Sequence, residues 1–202
     1  MTFIMASSNE DKIKEMRTIL SGLGFSVISQ REAGITLEVE ETGETFYDNA
    51  CLKAEAVMKA SGMPAIADDS GLMVEVLNGE PGVRSKRYGG EGLTDQDRNT
   101  LLLRMLESEE HREAKFVSSI VCVFPGGSII SAEGDCGGTI LRESRGSGGF
   151  GYDPVFFVTE SGKSMAELTP QEKNRVSHRG KALRAFEPKL LDYMKKAGQT
   201  SC

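Results

Sequence analysis

The chain has 202 residues, 39% of them hydrophobic and 27% charged, with a formal charge of −6. That length and balance suit a single globular domain over residues 1–202, or two closely merged lobes, and no apolar run nears the roughly 18 residues a membrane span needs. The acidic balance disfavours general binding to nucleic acid or to an anionic membrane, so an anionic ligand would need cations supplied locally. Cys51, Cys122, Cys136 and Cys202 include no close pair with metal or redox spacing and read as reduced thiols of a cytoplasmic protein.

Residues 2–6 read as a first strand, since they lack the basic region and long apolar stretch of a signal peptide. Ser7, Ser8, Asn9, Glu10, Asp11 and Lys12 then lead into a helix, with Ile13, Met16, Ile19 or Leu20, and Leu23 at helical spacing and Ser8 or Asn9 as its cap. A strand feeding a helix start presents backbone N–H groups and a positive dipole end, which favour a phosphate, and Lys12 adds a mobile charge. The glycines of a Walker A loop are missing, and taken alone the segment reads as a capped surface helix. Residues 25–29 read as a second strand. The stretch 37–44 crowds Glu38, Glu40, Glu41 and Glu44 around a turn, and 45–61 follows as a helix with Phe46, Ala50, Ala54, Val57 and Met58 on its apolar face and Gly62 as its stop. Those acids either complement the helix dipole or, through Glu40 or Glu41, meet Asp69 around a divalent cation.

The stretch 64–72, Pro-Ala-Ile-Ala-Asp-Asp-Ser-Gly-Leu, is the most informative. A short apolar strand ends in two carboxylates, Ser70 and Gly71 read as a turn, and residues 72–77 resume an extended apolar pattern. Neighbouring side chains of an extended chain point to opposite faces, so Asp68 and Asp69 do not aim at one ligand unless the turn bends between them. One is then expected to face the ligand and the other to support it; the alternative is an Asx turn whose carboxylates only cap backbone N–H groups.

Further on, 78–82 is strong turn punctuation, and 83–92 is a basic loop with Arg84, Lys86, Arg87 and Tyr88. Residues 94–106 read as a structural helix with a Thr-x-x-Asp cap and a core face of Leu101, Leu102, Met105 and Leu106. Residues 116–124 are the clearest strand, turned by Pro125-Gly126-Gly127 into 128–132, with a further strand at 138–142. The run 145–154, Arg-Gly-Ser-Gly-Gly-Phe-Gly-Tyr-Asp-Pro, places four glycines in six positions. They suggest close backbone approach to a ligand, with Phe150 or Tyr152 stacking on a base. Residues 155–158 are a strand, Pro170 suits a first helical position, and 173–180 leads into a final helix that Pro188 should kink or divide. His178 and Arg179 at its start are either directional donors or an ordinary helix-start histidine beside a solvated arginine. Together these elements predict an α/β protein with a mixed central sheet and flanking helices.

Four segments, 7–12, 40–46, 67–72 and 148–154, closed by Ser177-His178-Arg179, resemble in this order the noncanonical purine nucleoside triphosphate pyrophosphatase family, which acts on inosine and xanthosine triphosphates. The resemblance covers nearly the whole chain. It implies two lobes around a cleft, a homodimer, and magnesium-dependent (Mg2+) cleavage of ITP, dITP or XTP to the monophosphate and pyrophosphate, which cleanses the nucleotide pool. It assigns Ser7, Ser8, Asn9, Glu10, Asp11 and Lys12 to the phosphates, Asp69 to the general base and a metal ligand with Glu40 or Glu41, and Ser70 to a substrate contact. Phe150, Gly151, Tyr152, Asp153, Lys173, His178 and Arg179 are assigned to the nucleotide. The chain departs from the pattern at Ser7-Ser8, where threonine and then a small residue are usual, and at Lys86, where a small residue often stands. Alternatives are a pyrophosphatase for other modified nucleotides and a nucleotide-binding regulatory module without turnover.

Overall fold

The computed structural model describes residues 1–199; Cys202 lies outside the described residues. The chain begins with β1 (Thr2–Met5), α1 (Glu10–Ser21), β2 (Ser26–Ser29), α2 (Phe46–Ser61) and β3 (Ala65–Val74). β1 pairs in parallel with β2, Thr2 opposite Ser26, and also with β3, Ile4 opposite Ala65. The order β2-β1-β3 means that α1 carries the chain outward from β1 while α2 carries it back past β1. Such a reversal creates a switch point at the carboxyl ends of parallel strands, where α/β proteins place ligands.

Strand alternation sorts the core. Phe3 and Met5 of β1 and Ile66 of β3 pack with Ile13, Met16 and Leu20 of α1 and with Ala182, Leu183, Phe186 and Leu190 further along the chain. Ile4, Ala6, Ala65 and Ala67 face the other way, against Ala50, Ala54 and Val57 of α2. Both helices are held by their ends. Asn9 caps α1; Thr45 and Asp48 form a reciprocal capping box on α2, which ends at Gly62 in the left-handed region, φ 66°.

The remaining elements are α3 (Asp95–Met105), β4 (Glu113–Val123), β5 (Ile129–Ile140), β6 (Phe156–Val158), β7 (Lys163–Ser164), α4 (Pro170–Val176) and α5 (His178–Gln199). The strands form one seven-stranded sheet in the order β2-β1-β3-β4-β5-β6-β7, antiparallel at β5-β6 and β6-β7. The sheet is therefore mixed, as the sequence predicts. Two compact units share it: Met1–Asp69 with Ser118–Gly134 and the chain from Ala182 onward, and Ser70–Val117 with Asp135–Lys181. The second unit has its own core, in which Leu72, Val74, Leu102, Phe116, Ile140, Phe156, Val158 and Val176 meet.

Several sequence expectations are corrected. Ser70 and Gly71 make no turn; β3 runs unbroken through both, because a strand covered on both faces imposes an extended path that glycine permits as readily as a turn. The extended pattern then stops at Val74, and Glu75–Leu77 is a 3-10 turn. The segments 128–132 and 138–142 are one strand, β5. Gly138 belongs inside it because a Cβ there would lie 2.0 Å from the Phe157 carbonyl, so glycine lets β6 pair closely. On α3, Leu102 is buried while Met105 is 44% exposed. Pro188 does not divide α5; it lies on the exposed side, where water can serve the carbonyl its ring displaces.

Candidate active site

The first unit gathers charge beyond the end of β1 and along the middle of β3. Continuing the alternation of β3, Asp68 shares the face of Ile66 and Asp69 that of Ala67. Each aspartate meets a lysine from the helix on its own side: Asp68 Oδ2 lies 2.8 Å from Lys12 Nζ, and Asp69 Oδ1 lies 2.7 Å from Lys53 Nζ. The Ser118 hydroxyl donates to the other oxygen of Asp68. The Ile4 and Ala6 amides bond the Pro64 and Ile66 carbonyls, but the Ser7 amide turns back onto Met5. Next in that row, the Asp68 carbonyl instead accepts from Lys53 at 3.2 Å and Lys12 at 3.4 Å. One carbonyl thus draws together two lysines from opposite faces of the sheet.

Lys53 also donates to Glu41 Oε1 at 2.9 Å. Glu41 is delivered by a locked loop, in which Asn49 Oδ1 accepts the Gly43 amide at 2.8 Å and Asn49 Nδ2 reaches the Gly43 carbonyl at 3.4 Å. A Cβ on Gly43 would lie 2.6 Å from that of Asp48, so the close approach requires glycine. Burial pushes the Asp69 carboxyl above its ordinary range, with Lys53 and Lys12 pulling it back. Burial works against the Lys53 charge, but Asp69 and Glu41 outweigh it and hold the ammonium protonated.

Of the two glutamates considered for metal, Glu41 is brought to Asp69 and Glu40 is exposed. Among the described residues no group of three or more His, Cys, Asp or Glu is gathered for a metal. Two carboxylates converging on one positive charge still fit a magnesium ion, which takes one or two carboxylates and completes its shell with water and phosphate. At the start of α1 the Asn9 side chain takes the Asp11 and Lys12 amides, and Ser7 Oγ accepts from the Asn9 amide. Those Asp11 and Lys12 amides therefore serve the cap. Ser8, Glu10 and Asp11 are exposed.

The second unit brings the other expected residues together. Arg179 is 2% exposed and donates to the Ser70 hydroxyl at 3.0 Å, which overturns the solvated-arginine reading. The His178 ring stacks on Phe116 with centroids 4.8 Å apart. Gly180 permits this junction, because a Cβ there would lie 1.9 Å from the Asn174 carbonyl. Asp153 Oδ2 pairs with Lys173 at 2.8 Å and accepts the Phe150 amide at 3.0 Å. Lys173 Nζ lies 4.7 Å from the centre of the half-buried Phe150 ring, and the Arg179 guanidinium carbon 5.8 Å. Gly151 is clamped by α3: Asp95 accepts its amide at 2.8 Å and Asn99 donates to its carbonyl at 3.0 Å.

Two readings of the glycine run change. Gly148 approaches the Ala166 backbone, and a Cβ on Gly149, at φ +74°, would lie 2.0 Å from the Asp153 carboxylate. These glycines make room for the unit's own chain. Tyr152 is 5% exposed and donates to the Ser85 carbonyl at 3.0 Å, with burial holding its phenol well above the ordinary range. Of the two aromatics, Phe150 is the more exposed, and Tyr152 supports the loop from within.

A family model described as the Ham1 family matches residues 3–189. The chain belongs to the Ham1 family. A Nostoc protein named dITP/XTP pyrophosphatase is 50% identical over 188 residues, 93% of each chain. A Thermus thermophilus protein of the same name is 49% identical over 189 residues, 92% of this chain and 90% of that one. Among solved structures, a HAM1 protein from Coxiella burnetii aligns with a TM-score of 0.87 and 41% identity, covering 95% of this chain and 99% of that one. In this Ham1 chain Lys53, Ser118, Asn49 and Asn99 join the clusters without having been singled out in the sequence. Lys53 alone carried a readable signal: it continues the stripe Phe46, Ala50, Val57 at helical spacing, and a lysine on a buried helix face needs a partner.

Proposed function

We propose that this chain hydrolyses ITP, dITP and XTP to the nucleoside monophosphate and pyrophosphate, and so removes deaminated purine nucleotides from the cytoplasmic pool. The observation that carries the reading is the convergence of Glu41 and Asp69 with Lys53 beside the middle of β3, in a chain similar to proteins named dITP/XTP pyrophosphatase. Glu41 and Asp69 would hold a magnesium ion, which when bound would supply positive charge to neutralise the triphosphate. Lys12, Lys53 and the Ser7 and Ser8 hydroxyls take the remaining phosphate charge, and Asp69 orients the attacking water and draws off its proton. The bond broken joins the α-phosphorus to the bridging oxygen, and the electron pair leaves with pyrophosphate.

In the second unit Phe150 stacks on the base, with Lys173 and Asp153 fixing the loop, and Ser70 contacts the substrate. His178 and Arg179 supply donors for the 6-keto oxygen of hypoxanthine or xanthine. Adenine would present its amino group to those donors and leave buried polar groups unmatched, which is expensive. The active species is a homodimer. The test is incubation of the purified chain with magnesium and, separately, ITP, XTP, dITP, ATP and GTP, measuring pyrophosphate and orthophosphate apart. Pyrophosphate from the keto purines, with little from ATP or GTP, is the expected result. Orthophosphate release, or tight binding without turnover, would overturn it.

A further inference from the structure

The Lys53 ammonium sits where three oxygens converge: Asp69 Oδ1 at 2.7 Å, Glu41 Oε1 at 2.9 Å and the Asp68 carbonyl at 3.2 Å. Hard divalent cations favour oxygen sets of this kind. Two of the three are the carboxylates assigned above to magnesium. An ammonium and a divalent ion compete for the same lone pairs and repel one another, so both cannot hold this point at full occupancy.

Lys12 is placed differently. Its ammonium lies 2.8 Å from the Asp68 carboxylate, on the sheet face opposite Asp69, and acts on Asp69 through space. A cation arriving between Glu41 and Asp69 would contend with Lys53 for its ligands and leave the Lys12–Asp68 pair in place. The two lysines are of similar burial, with side chains 15% and 14% exposed, and differ in which carboxylate each directly pairs with.

We propose that Lys53 is the resident counter-cation of the metal site: it holds Glu41 and Asp69 together before substrate arrives, and the divalent ion displaces it toward the incoming phosphates. The inference rests on the function proposed above. It makes metal binding weak in the absence of nucleotide and stronger in its presence, because the phosphates supply the displaced ammonium with new partners. By linkage the metal strengthens nucleotide binding by the same factor. Lys53 lies on the same helix whose Asn49 fixes the Glu41 loop, so one element carries both the loop's anchor and the charge that offsets the repulsion of Glu41 and Asp69.

The test uses nucleotide-free protein and manganese as the probe, with free ion read by electron paramagnetic resonance. Lys53→Met should bind manganese at least tenfold more tightly than the wild type, with circular dichroism confirming that it folds. Equal or weaker binding by a folded variant would overturn the proposal. A second measurement needs no variant: amine acetylation of the wild type, read by mass spectrometry, should rise at Lys53 when magnesium is added while Lys12 changes little. Unchanged or reduced Lys53 labelling would likewise refute it. Pyrophosphate release from ITP is scored separately. If magnesium-dependent release is present while manganese binding and labelling show no displacement, the counter-cation role fails and the proposed function stands; if no pyrophosphate is released, that function fails.

Discussion

Asp68 and Asp69 are chemically identical neighbours with different surroundings, and strand alternation is the cause. Asp68 is 1% exposed, tied to Lys12 and Ser118, whereas Asp69 is 6% exposed and shares Lys53 with Glu41. The sequence reading that one faces a ligand and the other supports it needs only this alternation. It follows that Asp69 and Phe150 should fail in different kinetic parameters. Asp69→Asn preserves size but removes the charge to which the proposed mechanism gives the water's proton, and should lower kcat by about 10²–10⁴-fold, the span of a lost general base. Phe150→Ala should raise KM for ITP about tenfold with kcat changed much less, as expected when base stacking worth about 1–3 kcal/mol is lost. Steady-state kinetics on both variants decides: near-normal turnover in the asparagine variant removes Asp69 from the chemistry, and an unchanged KM removes the ring from the base.

Helices were legible where their caps are local. Thr94 with Asp97 forms the reciprocal box that its spacing announced, and Thr45 with Asp48 and Thr169 with Glu172, which were not read as caps, form boxes of the same three-residue spacing. What local spacing hides is the partner of a side chain that reaches another element. Lys53 meets Glu41 and Asp69 across 12 and 16 positions, and Asn99 meets Gly151 across 52. The α4 box is more than a helix start, since α4 carries Lys173. Glu172 accepts the Thr169 amide at 2.8 Å and Lys163 at 2.9 Å, and its carboxyl is lowered from 4.5 to about 2, first by Lys163 and then by Thr169. A depressed carboxyl contributes stability that is complete above its unfolded value and is lost as pH falls toward the folded one. Glu172→Gln keeps an oxygen for the Thr169 amide but removes the charge, and should therefore lower Tm at pH 7 by roughly 1–4 °C, the shift that loss of a first-turn negative charge makes in a chain of this size. The difference from wild type should shrink as pH falls from 4.5 to about 2. A gap that persists through that window would mean that charge on Glu172 is not what stabilises α4.

At the scale of the whole chain, the mixed sheet was legible from strand-helix units followed by hairpin-like strands, while strand continuity was not. β3 and β5 were each divided in the sequence reading at glycine-containing points, yet both run through, because pairing with neighbours on either side fixes a path that local propensity leaves open. Those long strands bear on cooperativity. The chain passes between the two compact units at 69–70, 117–118, 134–135 and 181–182, within β3, β4, β5 and α5. Neither unit is a continuous piece of sequence, and each crossing lies inside a regular element instead of a linker. Losing one unit would require breaking all four elements midway, so the two should unfold as one. The chain has no tryptophan and four tyrosines, which makes fluorotyrosine a clean reporter. Tyr193 packs against the core of the first unit and Tyr152 is buried in that of the second. In a urea titration followed by fluorine NMR, the native resonances of both should vanish at the same midpoint, coincident with loss of far-UV circular dichroism. Separate midpoints would show that the shared strands do not couple the units, and that each unit's cluster of functional residues can be lost without the other.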